Sequence, residues 1–175
     1  MSHARPTFQT IEAGKKAPLP FPSDEYAARL TGLRAVLAGA DIGAAILTAP
    51  RSIAYYGGTL TGARGHALVV QADRAILIAP AAGAMRASRG CAGEVLSYSG
   101  APQQMFWQAV AHVTGAGARV GIEADHMTLQ SRARHDAVLR PASVVDIAAA
   151  TRVQRINPSD AERALISDVA RIADV

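Results

Sequence analysis

Cysteine, aromatic side chains and long apolar runs are all scarce in this sequence of 175 residues. The only cysteine is Cys91, so the chain cannot form an internal disulfide, which fits a reducing cytoplasm. No apolar run approaches the length that crosses a membrane. The first residues, MSHARPTFQTIEAGKK, lack the apolar segment of a signal peptide. The sequence therefore predicts a cytoplasmic protein that has no membrane partner.

Basic residues are in excess, but they are not grouped into a surface that would bind nucleic acid. The formal net charge is +4, the arginines are scattered, and the lysines are confined to Lys15 and Lys16. Nucleic-acid-binding surfaces usually carry a basic stripe interleaved with aromatic residues. We therefore interpret the arginines as a solvated surface and expect no nucleic-acid partner.

Apolar residues make up 50% of the chain, enough to form the buried core of one globular domain. Short apolar runs typical of strands alternate with segments of helical periodicity. Strands are predicted at 44–48, 66–71, 74–79, 94–99, 119–124 and 143–148. Helices are predicted at 23–39, 102–113, 128–139 and 148–156, a short helix with loops at 80–93, and a loop or single turn at 49–58. This pattern predicts an α/β fold, a mixed β-sheet of about six strands flanked by helices on both faces.

The start of the chain lacks a regular pattern. Pro6, Pro18, Pro20 and Pro22 block regular structure there. Residues 1–22 are therefore predicted to be an extended arm that lies on a surface or reaches a partner.

The first and last predicted helices have recognisable N-terminal signals. Ser23 is predicted to cap the first helix, whose buried stripe is expected to consist of Tyr26, Leu30, Leu33 and Leu37. Ser159 and Glu162 form the spacing of a capping box at the start of the last helix. That helix carries an apolar stripe of Leu165, Ile166, Val169, Ile172 and Ala173, for which the sequence offers no packing partner.

A group of polar residues, Glu123, Asp125 and His126, follows the predicted strand at 119–124. Carboxylate and imidazole groups are metal ligands, and Glu123 and Asp125 would share a face if the segment were extended. A strand end that leads into a helix cap also carries polar residues, which bond to the loop backbone. The second interpretation is favoured, so no metal site is predicted.

Arg64 is the candidate binding residue, because it lies in the glycine-rich stretch GGTLTGARGHALVV just before a strand. Loops on a rigid sheet concentrate binding residues, and a guanidinium can grip a carboxylate with both arms of its fork. A solvated loop arginine is the alternative. His66 is interpreted as the first residue of a strand rather than a catalytic base. Cys91 has no evident activating partner, so its thiol is predicted to be unreactive.

The order of segments resembles the N-terminal domain of the creatinase and prolidase family, and creatinases more than aminopeptidases. The matching stretches span residues 21–175 and include SDEYAARLTGLRAVLAGADIGAAILTAPRSIAYYGG, ALVV, RVGIEADHMTLQSR and VVDIAAATRVQRINPSDAERALISDVARIADV. SIAYYGG is typical of the whole superfamily, whereas GIEADHMTLQSR is distinctly similar to creatinases.

This resemblance implies a ribonuclease-H-like α/β domain at 23–156, and it places 157–175 as the first helix of a truncated C-terminal catalytic domain. The intact protein would be a cytoplasmic homodimer that hydrolyses creatine or a related guanidino acid to an amino acid and urea. The chain alone would be inactive and would hold no cofactor. By alignment to ALVV, Arg64 matches a family arginine that contacts the carboxylate of a small substrate across the dimer. Gly62 stands where creatinases have an aromatic residue, a departure from the creatine-binding pattern.

Two alternatives remain open. The chain could belong to a metal-dependent Xaa-Pro peptidase, whose catalytic domain would bind two divalent metals. It could also be a non-catalytic module of the same fold that binds peptides or proteins, in which case Arg64 would have no role.

Overall fold

The computed structural model describes residues 8–12, 15–61 and 65–173. Its strands are β1 (Phe8–Thr10), β2 (Ala44–Leu47), β3 (Ala67–Val70), β4 (Ala75–Pro80), β5 (Glu94–Tyr98), β6 (Arg119–Ile122) and β7 (Ser143–Asp146). Its helices are α1 (Ser23–Gly39), α2 (Pro50–Gly57), α3 (Ala81–Gly90), α4 (Pro102–Thr114), α5 (Leu129–Leu139), α6 (Ala148–Ile156) and α7 (Asp160–Ala173). None of the helices in this described part is long and apolar enough to cross a membrane.

The strands form one mixed sheet in the order β1-β5-β4-β3-β2-β6-β7. β2, β6 and β7 are parallel to one another, β4 and β5 are parallel, and β3 is antiparallel to both of its neighbours. The carboxyl ends of β2, β4, β5, β6 and β7 therefore meet at one edge, where β3 begins. We call this edge the carboxyl edge, and we call the described residues up to 156 the α/β unit.

The core has two layers, one on each face of the sheet, because successive strand residues point to opposite faces. In β2, Ala45 and Leu47 pack with α1, α2 and α3, whereas Ala44 and Ile46 pack with α4 and α5. All residues of β2 and β3 are buried. Helices thus cover both faces, which explains why these strands read as continuous apolar runs.

The predicted α/β fold with a mixed sheet is confirmed, but the described residues form seven strands rather than about six. The additional strand is β1, which lies in the arm predicted to be irregular and pairs with β5 in the register Phe8↔Tyr98. The prolines of the described part of this arm all follow β1, so they do not interrupt its ladder. Residues 1–7 and 13–14 lie outside the described part, and the division at 1–22, 23–156 and 157–175 stays a prediction.

The segment predicted as a loop or single turn is the helix α2, so that prediction is wrong. Pro50 occupies its first turn, where a missing N–H costs nothing. Ile53, Tyr56 and Gly57 are buried at helical spacing, and Gly58 ends the helix with a φ of +79°. A two-turn helix between a proline and a glycine has too few residues to show a periodic signal.

Helices α1 and α5 differ in their N-terminal caps, and the cap predicted at Ser23 is wrong. Thr128 caps α5 by accepting a hydrogen bond from the Ser131 N–H. Ser23 is the first residue of α1 rather than its cap, which is Pro22. The buried stripe of α1 includes Arg29, while the predicted Leu30 is only half-buried.

Candidate functional site

Glu123 lies at the carboxyl edge, just after β6, and is only 1% exposed. Its Oε1 accepts hydrogen bonds from the hydroxyls of Ser52 at 2.5 Å and Thr151 at 3.2 Å. Arg155 Nη1 lies 3.7 Å from the same oxygen and donates to Ser52 Oγ at 3.0 Å. This buried cluster joins the end of β6 to α2 and α6, and the guanidinium balances the charge of the carboxylate.

A second link between α6 and the rest of the α/β unit runs through Gln154. Its side-chain Oε1 accepts a short hydrogen bond from the Tyr56 hydroxyl, and its backbone oxygen accepts one from the Tyr55 hydroxyl at 3.2 Å. Burial raises the pKa of Tyr56, so its hydroxyl stays a donor at physiological pH. α6 is therefore attached through several buried polar contacts.

The predicted group of Glu123, Asp125 and His126 does not converge on one point. Residues 124–126 form a turn rather than an extended segment. Asp125 Oδ2 accepts hydrogen bonds from Arg51 and Arg152 at 3.0 and 3.1 Å, and His126 Nδ1 lies 3.2 Å from Thr48 Oγ.

This arrangement does not fit a metal ion. Glu123 is paired with an arginine, and Asp125 with two, and such charges repel a cation. Within the described residues no three His, Cys, Asp or Glu side chains come close enough to hold a metal. The geometry favours the interpretation of these residues as a polar strand end.

Arg64, the predicted substrate contact, lies outside the described residues, as does Gly62. The structure describes the residues that flank 62–64, namely Thr61 and Gly65. Thr61 is buried, and the Gly65 carbonyl accepts a hydrogen bond from the Tyr98 hydroxyl at 3.1 Å. Gly65 has a φ of +90°, and a Cβ there would lie 2.5 Å from Tyr98 Oη, so only glycine fits. Gly65 thus precedes β3 at the carboxyl edge.

Arg29 is the centre of a second cluster, which the sequence did not predict. Its guanidinium carbon lies 4.3 Å from the ring centre of Tyr55 and 4.5 Å from that of Phe21. It pairs with Glu25 of its own helix and with Glu162 of α7. Beside it an open cleft of about 400 Å³ is lined by Glu25, Ala28, Arg29, Tyr55, Val153, Gln154, Asn157 and Ser159.

Arg29 could have drawn attention, because it stands between Tyr26 and Leu33 on the buried face of α1. An arginine inside an apolar stripe either extends to solvent or has a buried partner. Glu25 lies one helical turn away, but Tyr55 and Glu162 lie far away along the chain, and sequence spacing does not reveal them.

His135 and Cys91 are buried groups away from the carboxyl edge. His135 Nδ1 lies 2.7 Å from Asp136 Oδ1, while its Nε2 has no hydrogen-bond partner among the described residues. Burial lowers the pKa of His135, and the Asp136 carboxylate opposes that shift. Burial raises the pKa of the Cys91 thiol, which favours the unreactive thiol predicted from the sequence.

Comparison with known proteins identifies a family and relatives for this chain. Residues 29–156 match the family described as Creatinase/Prolidase N-terminal domain. The chain is 33% identical over 168 residues to the creatinase of Bacillus sp. (strain B-0618), a match that covers 93% of this chain and 41% of that protein. The chain thus spans less than half of the length of this curated relative.

Solved structures of similar fold come from peptidases. An Xaa-Pro dipeptidase from Bacillus anthracis superposes with a TM-score of 0.72 at 21% identity, over 85% of this chain and 41% of that one. A proline dipeptidase structure from Streptococcus pneumoniae superposes with a TM-score of 0.65 at 23% identity, over 74% of this chain and 98% of that one. The fold is the one these proteins share, and the family match covers most of the sequence. The chain therefore belongs to the creatinase/prolidase N-terminal domain family.

Proposed function

We propose that this chain is the non-catalytic N-terminal domain of a creatinase-like C–N hydrolase. The intact, cytoplasmic protein would hydrolyse creatine or a related guanidino acid to an amino acid and urea. The observation that carries this proposal is the 33% identity to a creatinase over 93% of the chain. Identity to the dipeptidases of similar fold is lower, at 21% and 23%.

The contacts at the carboxyl edge support a scaffolding role for this domain. The polar side chains that could carry out chemistry there are already bonded to one another. Glu123 binds hydroxyls of α2 and α6, and Asp125 binds Arg51 and Arg152. These groups fasten helices to the sheet, and in this proposal the reacting groups belong to a catalytic domain.

Arg64 is the residue of this chain that we assign to the substrate. A guanidinium matches a carboxylate in charge and geometry. The segment that carries it is flanked by the buried Thr61 and by Gly65, which Tyr98 holds. Ordered flanks at a sheet edge suit a loop that is offered to the active site of a homodimer partner. Gly62 removes an aromatic contact of creatinases, which favours a guanidino acid that differs from creatine.

The exposed apolar face of α7 supports the proposal that this helix packs against a catalytic domain. Ile166, Val169 and Ile172 are 61%, 57% and 76% exposed. They share one face of the helix with Leu165, which is 44% exposed. Since the chain spans 41% of the related creatinase, we assign this face to the interface with the remaining part of the enzyme.

The Xaa-Pro peptidase is the second candidate, and the TM-score of 0.72 with a dipeptidase favours it. The two candidates differ in their need for metal. A peptidase of this type would bind two divalent ions in its catalytic domain, whereas the creatinase-like reaction would proceed without them. The described residues of this chain are compatible with either candidate enzyme.

The test is an activity panel on the protein encoded by the complete gene, with creatine, other guanidino acids and Xaa-Pro dipeptides as substrates. Each assay is run after chelation and after addition of divalent metal. We expect urea release from a guanidino acid that survives chelation, and no turnover by the 175-residue chain alone. Metal-dependent cleavage of Xaa-Pro dipeptides without urea release would replace the first candidate by the second.

The role of Arg64 is tested with Arg64→Ala in the intact protein. Loss of a charge-assisted contact made already with bound substrate should raise KM about tenfold and leave kcat nearly unchanged. Arg74→Ala is the matched control, because Arg74 bonds only to Gln71 within the β3–β4 turn among the described contacts. Equal kinetics in the two variants would remove Arg64 from the substrate site.

A further inference from the structure

The start of α7 meets the α/β unit through one carboxylate. Glu162 uses its two oxygens for different purposes. Its Oε2 accepts a hydrogen bond from the Ser159 N–H at 2.9 Å, and Ser159 Oγ accepts one from the Glu162 N–H at 3.2 Å, which completes the predicted capping box. Its Oε1 lies 3.2 Å from Arg29 Nη2. One side chain therefore both caps α7 and connects it to α1.

Arg29 is held so that this one nitrogen faces α7. Its Nε donates to Glu25 Oε1 at 2.9 Å, and its Nη1 donates to the Tyr55 backbone oxygen at 2.8 Å. The rings of Tyr55 and Phe21 lie against the guanidinium, and the side chain is 4% exposed. With two nitrogens engaged and the plane fixed by aromatic rings, Nη2 has little freedom to move.

The Nη2–Oε1 contact is an ion pair rather than a well-aligned hydrogen bond. The distance of 3.2 Å is within ion-pair range, but Nη2 has no partner of hydrogen-bond geometry among the described residues. Its strength is therefore mainly electrostatic, and the low exposure of the two side chains, 4% and 17%, protects it from screening.

Beyond this contact α7 projects from the α/β unit. Every described residue from Arg163 onward is exposed, and none in the whole helix is buried. The remaining ion pairs of the described part of α7, Arg163–Asp160 and Arg171–Asp168, stay within the helix. Between α7 and the α/β unit, the described residues form no ion pair besides Glu162–Arg29.

We propose that Arg29 is a positioning residue that sets the direction of α7 relative to the α/β unit through its ion pair with Glu162. Phe21 and Tyr55 keep the guanidinium in place, so the same contact also links the end of the N-terminal arm to α2 and α7. This inference goes beyond the proposed function, because it concerns how two parts of the chain are oriented and holds for either class of hydrolase.

The direction of α7 can be measured in this chain with spin labels on Ala35→Cys in α1 and Ser167→Cys in α7, both at exposed positions. The buried Cys91 remains unlabelled. Double electron–electron resonance then gives the distribution of distances between the labels. Glu162→Gln removes the charge but keeps a side chain that serves in capping boxes. We expect it to make the distribution about twice as broad, because the helix loses its directional contact.

Asp160→Asn is the matched control. Asp160 lies in the same first turn and carries the same charge, but its described partner is Arg163 of the same helix. We expect it to leave the distribution unchanged. Arg29→Lys should broaden the distribution as Glu162→Gln does, because an ammonium group cannot serve Glu25, Tyr55 and Glu162 in one plane.

Circular dichroism separates direction from fraying. Broadening in Glu162→Gln with full helix content supports the proposal. Broadening together with lost helix content overturns it, because Glu162 would then act only as a cap. A distribution in Glu162→Gln as narrow as in Asp160→Asn also overturns it.

Discussion

Helices α6 and α7 follow one another along the chain, yet they are attached to the α/β unit in different ways. Ala148 and Thr151 of α6 are buried, whereas no described residue of α7 is buried. The polar side-chain contacts of α6 include Thr151–Glu123, Arg155–Ser52, Arg155–Glu123, Gln154–Tyr56 and the more exposed Arg152–Asp125. For α7 the corresponding contact is the ion pair between Glu162 and Arg29.

The difference shows that the same chemistry has different consequences in different surroundings. A buried network in which several donors share one carboxylate contributes to folding stability, because each group left without a partner costs desolvation energy. The Glu162–Arg29 ion pair is also largely buried, but it holds only the first turn of a helix whose later described residues are all exposed. It therefore restrains the direction of α7 without making the helix part of the core. α6 is therefore part of the folded core, and α7 is a projecting element whose orientation is controlled.

The largest effect is expected from Glu123→Ala, which removes the carboxylate that attaches α6 to the sheet. It leaves the Ser52 hydroxyl without its acceptor and Arg155 without its counter-charge at a site that is 1% exposed, whereas Thr151 keeps the Ala148 backbone oxygen as an acceptor. We expect the free energy of unfolding to fall by about 3 kcal/mol, as for other broken buried ion pairs. Urea unfolding followed by circular dichroism measures this loss.

Asp125→Ala is the control for that substitution, since it also removes a carboxylate bonded to arginines at the carboxyl edge. Its partners Arg51 and Arg152 are 54% and 56% exposed, so the loss should stay below about 1 kcal/mol. Equal losses in the two variants would contradict the distinction between buried and exposed contacts.

His135 is a second buried titratable group, and it has fewer polar partners than Glu123. Burial lowers its pKa below the ordinary 6.5, so His135 binds a proton more weakly in the folded chain than in the unfolded chain. Stability should therefore fall as the pH is lowered through 6.5, until the folded chain is protonated as well. Asp136 and Arg132 are the charged groups beside the ring, and Trp107 of α4 packs edge-on against it.

The measurement is the melting temperature between neutral pH and mildly acidic pH. His135→Gln should flatten the decrease, because the side chain that takes up the proton on unfolding is gone. A decrease that persists unchanged in His135→Gln would assign the pH dependence to other groups.

The parts of the fold that could be predicted are those with a strong local signal. ALVV and RAILIA are apolar runs on either side of a short polar turn, and they form β3 and β4 as expected. β1 has three residues and no alternation, and its existence depends on pairing with β5, nearly ninety positions away. α2 is confined to two turns, so tertiary burial of Ile53 and Tyr56 decides its conformation.

In the candidate site, too, local motifs could be predicted from the sequence, whereas contacts between distant residues could not. The capping box of Ser159 and Glu162 was predictable because both residues belong to one local motif. The second oxygen of Glu162 contacts Arg29, which is far away along the chain, and no sequence spacing predicts that contact. Arg64 was predicted from its glycine-rich stretch before a strand and then from its match to a family arginine, and since it lies outside the described residues its role stays a prediction.

The smallest expected effect on this chain comes from Val169→Glu. The side chain is 57% exposed on the apolar face of α7, so the free energy of unfolding of the 175-residue chain should change by less than about 0.5 kcal/mol. In the intact protein the same charge would be buried against the catalytic domain, and we expect loss of activity and a lower melting temperature.

Ser167→Glu places the same charge on the opposite face of α7 and should be tolerated in both forms. If the intact protein accepts both substitutions equally, the apolar face does not pack against a catalytic domain. If Val169→Glu destabilises the isolated chain, then α7 is not the projecting element that distinguishes it from α6.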